Sequence, residues 1–151
     1  MDPAGPVFFN LTETFAFLRL SLNDSNSVDV IHKSLAFGLF DSIGLVDFWP
    51  NLWLEQPGCK SDPICSHDLF AESILSSSYF PTSDFSSSPV LWLAGACKCK
   101  SNCNHMGFYA NGNVQGSYYL YTNPQSPFSI SRSNVICVNF LNLFLIIFLR
   151  I

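Results

Sequence analysis

Val28-Asp29-Val30-Ile31-His32 is a short β-branched run, and it reads as a β-strand because side chains branched at Cβ pack well on a pleated surface. Downstream, Leu45-Val46-Asp47-Phe48-Trp49 reads as a second strand, bounded by Gly44 and Pro50. The period then changes. Between Asp68 and Ser76, Phe70 and Ile74 lie one helical turn apart; Ser66 is placed to cap this helix and Asp68 suits the positive end of its dipole. A Ser-rich stretch, roughly Ser76 to Ser88, reads as loop. The cysteine-dense segment Cys97 to Cys103 follows, and Ser117 to Thr122, with its Tyr118-Tyr119-Leu120-Tyr121, is aromatic and strand-like. Upstream, Pro3, Gly5 and Pro6 make the first residues a tight loop.

The bulk composition narrows the function. A chain of 151 residues suffices for one domain. Its charged fraction of 12% is about half the usual ~25%, against 48% apolar residues, so the surface is polar through Ser and Asn or keeps apolar area for a partner. A net charge of -4 supplies no basic patch, which argues against nucleic acid as a ligand. Six cysteines point to an oxidising compartment, zinc or a redox site. Two glycosylation sequons, at Asn10 and Asn23, fit a secreted protein. No signal peptide precedes them, since Met1 to Pro6 lack both a basic start and an apolar run; a front part is expected to be missing. Val135 to Leu149 is apolar apart from Asn139 and Asn142. As a helix it would reach about 22–25 Å, short of the ~30 Å bilayer core, so a tail foreign to the parent fold is expected ahead of a buried segment or a membrane anchor.

The strongest chemical candidates are Asp2 and His67. An aspartate that fixes the tautomer of a histidine, and stabilises its charged form, is two-thirds of a hydrolytic triad. Asp2 before His67 also obeys the chain order of α/β-hydrolases, nucleophile then acid then histidine. His32 is expected to be a buried histidine at a strand end, His105 a loop residue, and Trp49, Trp53 and Trp92 core or rim. Cys97, Cys99, Cys103 and His105 offer four zinc ligands within nine residues, too crowded for the two separated knuckles of ordinary structural zinc sites.

The wording of the motifs says more. Asp2-Pro3-Ala4-Gly5-Pro6 resembles the catalytic-acid loop of the animal neutral lipases, the pancreatic-lipase and phospholipase A1 family, and Val28 to His32 resembles the strand that follows it there. Val46-Asp47-Phe48-Trp49-Pro50-Asn51 and Gln56-Pro57-Gly58-Cys59 look like the next blocks, and Cys65-Ser66-His67 looks like the catalytic-histidine motif. Cys103-Asn104-His105-Met106-Gly107 with Ala110 matches a later block. The ordered set covers about residues 2 to 128.

That resemblance implies an α/β fold: an incomplete α/β-hydrolase, the C-terminal part of the domain over residues 1–130, lacking the nucleophile-elbow half, with residues 131–151 as an apolar tail. It implies Asp2 as triad acid and His67 as general base, a lipid or phospholipid ester as substrate of the full-length parent, no cofactor and no nucleic acid, and a secreted parent. It further implies disulfides Cys59–Cys65 and Cys99–Cys103, leaving Cys97 to pair with Cys137 or stay free. No Gly-x-Ser-x-Gly occurs in these residues, so the chain by itself is expected to be inactive. Only five residues separate Cys59 from Cys65, too few for a covering lid, and the stretch from Lys33 to Gly44 is short as well. Both resemble the phospholipase A1 branch and insect-type lipases. Leu52-Trp53 stands where the family commonly has Gly-Gly. The family's calcium loop keeps Arg19 and Asp24 but has Ser21 and Ala16 at its other acidic positions, so tight calcium binding is not expected. The alternative is a non-catalytic, lipase-like lipid-binding or yolk-type storage protein, against which the presence of both Asp2 and His67 argues.

Overall fold

The computed structural model describes residues 25–33, 41–53, 65–75, 80–82, 89–93, 99 and 103–131. In chain order these form strand β1 (Asp29–Ile31), strand β2 (Val46–Pro50), a 3-10 turn (Asn51–Trp53) and helix α1 (Cys65–Leu75). Strand β3 (Phe80–Pro81), helix α2 (Pro89–Leu93), strand β4 (His105–Met106) and strand β5 (Gly116–Leu120) follow. The three strands anticipated around Val28, Leu45 and Ser117 are present and make one sheet of order β1-β2-β5. Both pairings are parallel, with Ile31 opposite Phe48 and Phe48 opposite Tyr118. Parallel neighbours need a crossover connection, and α1 lies within the long one from β2 to β5.

The burial pattern explains why β2 reads as an unbroken apolar run. All five of its residues are buried, as expected of a strand covered on both faces. On one face Ile31, Val46, Phe48, Tyr118 and Leu120 pack with Leu69 of α1 and with Phe80 and Met106 of the small antiparallel β3–β4 pair. On the other face Trp49 and Tyr119 pack with Leu52 and with Trp92 of α2. Helices on both faces of a parallel sheet make this an α/β arrangement.

Three expectations need correction. Ser66 is not an N-cap: α1 already begins at Cys65, and Ser66 is buried inside its first turn. Its position follows from helical spacing, since Ser66, Leu69, Phe70 and Ser73 fall on one face and that face is turned to the core, whereas Ile74 is exposed. The Ser-rich stretch is not all loop, because Phe80–Pro81 pairs with His105–Met106 and Phe80 is a core residue. By the same pairing His105 is a strand residue. Residues 132–151, which hold the apolar tail, lie outside the described residues. Among the described residues no helix is long and apolar enough to cross a membrane.

Candidate active site

His67 sits in the first turn of α1, immediately after the buried Ser66, and its side chain is exposed. The neighbouring inward positions explain why. With Ser66 and Leu69 packed against the sheet, the intervening residues 67 and 68 point to solvent. Asp68, also exposed, is the acidic residue of that turn. Of the three histidines, His67 alone is exposed; His32 is buried and His105 is half-buried. A solvent-open imidazole at the head of a helix anchored by its inner face can approach a reacting hydroxyl from outside the core. Asp2, Cys59, the sequon residues Asn10 and Asn23, the calcium-loop positions Ala16, Arg19, Ser21 and Asp24, and Cys97 and Cys137 all lie outside the described residues, as does the side chain of Cys65.

Cys99 and Cys103 are joined in a disulfide, with Cα atoms 5.5 Å apart. That bond consumes the two thiolates a zinc ion would need, which removes the zinc reading of this segment. It leads directly into Asn104, a buried residue that organises the turn after it. Asn104 Oδ1 accepts from the amides of His105 (2.8 Å) and Asn111 (2.9 Å), and its Nδ2 donates to the carbonyls of Asn111 (3.1 Å) and Val114 (3.2 Å). Its own amide donates to Thr82 Oγ1 at 3.2 Å.

This turn is then seated on α1. Ser73 Oγ donates to the Phe70 carbonyl at 2.6 Å and accepts from the Phe108 amide at 2.9 Å. Gly107 has φ of 93°, and a Cβ there would lie 2.2 Å from Ser73 Oγ, so only glycine lets the turn approach so closely. A second link lies further along the chain. Glu72 accepts from Ser126 Oγ (2.8 Å) and from the Ser129 amide (3.0 Å), fastening the Pro127–Phe128 loop beside the helix. Between them runs an open groove of about 440 Å³, lined by Asp68, Ala71, Glu72, Leu75, Ser126, Pro127 and Phe128. Sequence reasoning missed this groove. Its only signal was that Asp68, Glu72 and Leu75 share the α1 face opposite Leu69 and Ser73.

His32 is a structural histidine, as its place in the sequence implied. Its Nε2 donates to Asp47 Oδ1 at 2.6 Å, and its ring stacks on Trp49 with centroids 3.7 Å apart and planes 7° from parallel. Asp47 Oδ1 also accepts from the amides of Ile43 and Gly44, both at 3.2 Å. A Cβ on Gly44 would come within 2.9 Å of the Val46 carbonyl, so the chain can fold back onto Asp47 only with glycine there. This buried carboxylate has a distant effect. Burial first, and then the charge of Asp47, push the Tyr119 hydroxyl above its ordinary pKa of 10.0. Burial alone raises that of Tyr121.

Comparison with known proteins fits this geometry. The chain matches the family described as Lipase over residues 1–128. It is similar to pancreatic lipase-related protein 2 of Cavia porcellus, 30% identical across 89% of this chain and 35% of the relative. It is also similar to pancreatic lipase-related protein 3 of Homo sapiens, 32% identical across 85% of the chain and 35% of the relative. Phospholipase A1 4 of Polistes dominula is 45% identical, but across 44% of the chain and 20% of that protein. The chain thus spans about a third of the length of the pancreatic relatives it matches. Because the family match starts ahead of β1 and runs past β5, through every element described above, the chain belongs to the Lipase family, whose α/β-hydrolase fold accounts for its parallel sheet.

Proposed function

We propose that these residues supply the acid and the general base of a secreted lipid carboxylic-ester hydrolase, and that the serine nucleophile is not among them. The observation that carries this reading is the position of His67. It is the exposed histidine, at the head of α1, in a Cys-Ser-His context within a Lipase-family match. In the assembled enzyme a serine hydroxyl attacks the ester carbonyl and His67 takes its proton. The acyl-serine intermediate forms as His67 passes that proton to the departing alcohol. Water then attacks the acyl-serine with His67 again as base. Asp2 holds the imidazole in the tautomer and orientation that this needs. The short spacing between Cys59 and Cys65, and the short Lys33–Gly44 stretch, favour a phospholipase A1-like substrate over triglyceride.

The test is the transcript upstream of the Met1 codon. The expected result is an in-frame segment encoding Gly-x-Ser-x-Gly behind a signal peptide. An in-frame elbow whose serine is replaced would overturn the catalytic reading in favour of a lipid-binding protein. Residues 1–151 alone are expected to release no fatty acid from phosphatidylcholine, and measurable release would refute the assignment of the nucleophile to another segment.

A further inference from the structure

The groove along α1 has two kinds of wall. Asp68, Ala71, Glu72 and Leu75 recur at helical spacing and so form one stripe of α1, while Pro127 and Phe128 line the other side from the loop that Glu72 fastens. Most of that lining is apolar, with one aromatic ring; the charge comes from the two carboxylates. No cation answers them. Asp68 and Glu72 are the charged residues of α1 besides His67, and from Ser101 to Ser131 the sequence contains no Asp, Glu, Lys or Arg. Among the described residues the ion pair is that of His32 with Asp47, inside the core. Two like charges four residues apart on a helix repel, so a cation held between them is stabilising.

The acceptors decide which cation fits. Each oxygen of Glu72 already takes a hydrogen bond, from Ser126 Oγ and from the Ser129 amide, so Glu72 offers its charge more readily than a free lone pair. A calcium ion surrounds itself with about six to eight oxygens, and carbon lines most of this groove. A primary ammonium or a guanidinium carries several N–H donors. Those that meet the Leu75, Pro127 and Phe128 walls lose water without gaining an acceptor. A quaternary ammonium has no N–H to satisfy. Its charge is spread over methyl groups that pack on apolar walls, and it is attracted by an aromatic ring as well as by a carboxylate. The volume of about 440 Å³ accommodates such a group with room for a substituent.

We infer that the groove between α1 and the Pro127–Phe128 loop binds small quaternary ammonium ions of the choline type, with Asp68 and Glu72 supplying the charge and Phe128 the ring. Such binding requires neither Asp2 nor His67 and is independent of the hydrolytic reading. Titration of the full chain with tetramethylammonium chloride, against sodium chloride at matched low ionic strength and followed by NMR, tests it. Saturable shifts are expected at Ala71, Phe128 and the Asp68 amide, with a dissociation constant on the order of millimolar for so small a ligand in an open groove. Asp68→Asn, at an exposed position, is expected to weaken binding about threefold, and Phe128→Leu by a similar factor. Asp68→Glu keeps the charge and is expected to bind like the unaltered chain. His67→Ala is expected to bind normally, which separates this site from the catalytic reading. Absence of saturable shifts, or equal binding by Asp68→Asn, would overturn the assignment. So would guanidinium or ethylammonium chloride binding as tightly as tetramethylammonium, or calcium chloride moving the same resonances more strongly.

Discussion

Asp47 shows how one side chain can tie a local turn to a sheet. Its Oδ1 accepts three donors, His32 Nε2 and the amides of Ile43 and Gly44, in a fully buried setting. Asp47→Asn removes the charge from that acceptor, and the expected loss is about 1.5–3 kcal/mol, the range of hydrogen bonds to a charged group. Urea unfolding at neutral pH measures it through the midpoint. Leu52 is the second informative residue. It holds φ of 55°, a left-handed conformation that costs a side-chain-bearing residue about 1–2 kcal/mol, yet it is buried against Trp49, Trp92 and Tyr119. Leu52→Gly relieves the backbone but empties a core site whose loss costs more, about 2–5 kcal/mol. The expected net result is destabilisation by about 1–3 kcal/mol in the same urea experiment. The sequence already marked Leu52 as a departure from the family's glycine; what it could not convey was that the backbone keeps the glycine conformation and recovers the strain through packing.

At the scale of elements, Glu72 joins α1 to the loop after β5 through Ser126 and Ser129. Glu72→Ala is expected to cost about 1–2 kcal/mol for two lost hydrogen bonds to a half-buried carboxylate. Glu72→Gln, which retains an acceptor oxygen, should cost less. Hydrogen exchange at the Ser129 amide reports the same loss locally, as faster exchange in Glu72→Ala. Elements with a strong local signal were legible: β-branched and aromatic runs became strands, and Asp68 does stand in the first turn of a helix. Those set by distant contacts were not. Ser66 resembles a cap in sequence, but the helix already includes Cys65, and Ser66 is buried within its first turn. Phe80–Pro81 hides in a serine-rich stretch because a two-residue strand has no periodicity of its own and exists through its pairing with His105–Met106.

At the scale of the molecule, the parallel order β1-β2-β5 is what no local pattern could give, since it depends on which segments cross over which face. The candidate site was legible differently. His67 could be singled out by its Cys-Ser-His context, while its exposure, the groove along α1 and the Glu72 link required the packed helix. Packing also sets an alkaline limit. Tyr119 and Tyr121 have hydroxyls whose pKa lies above the unfolded value of 10.0, so the stabilisation they give is whole below pH 10 and is lost as pH rises through their folded values. The expected observations are late-titrating tyrosinate absorbance and a melting temperature that falls only in that alkaline range. In Tyr119→Phe and Tyr121→Phe, the part due to each ring should vanish.

The catalytic reading stands or falls on one side chain. In the protein that joins these residues to a Gly-x-Ser-x-Gly segment, the rate of fatty-acid release from phosphatidylcholine is to be compared between the unaltered enzyme and His67→Ala. Loss of the general base is expected to lower kcat by roughly a thousandfold or more while the melting temperature holds, because the replaced ring is exposed. A rate within a few-fold of the unaltered enzyme would contradict the assignment of His67 as the base.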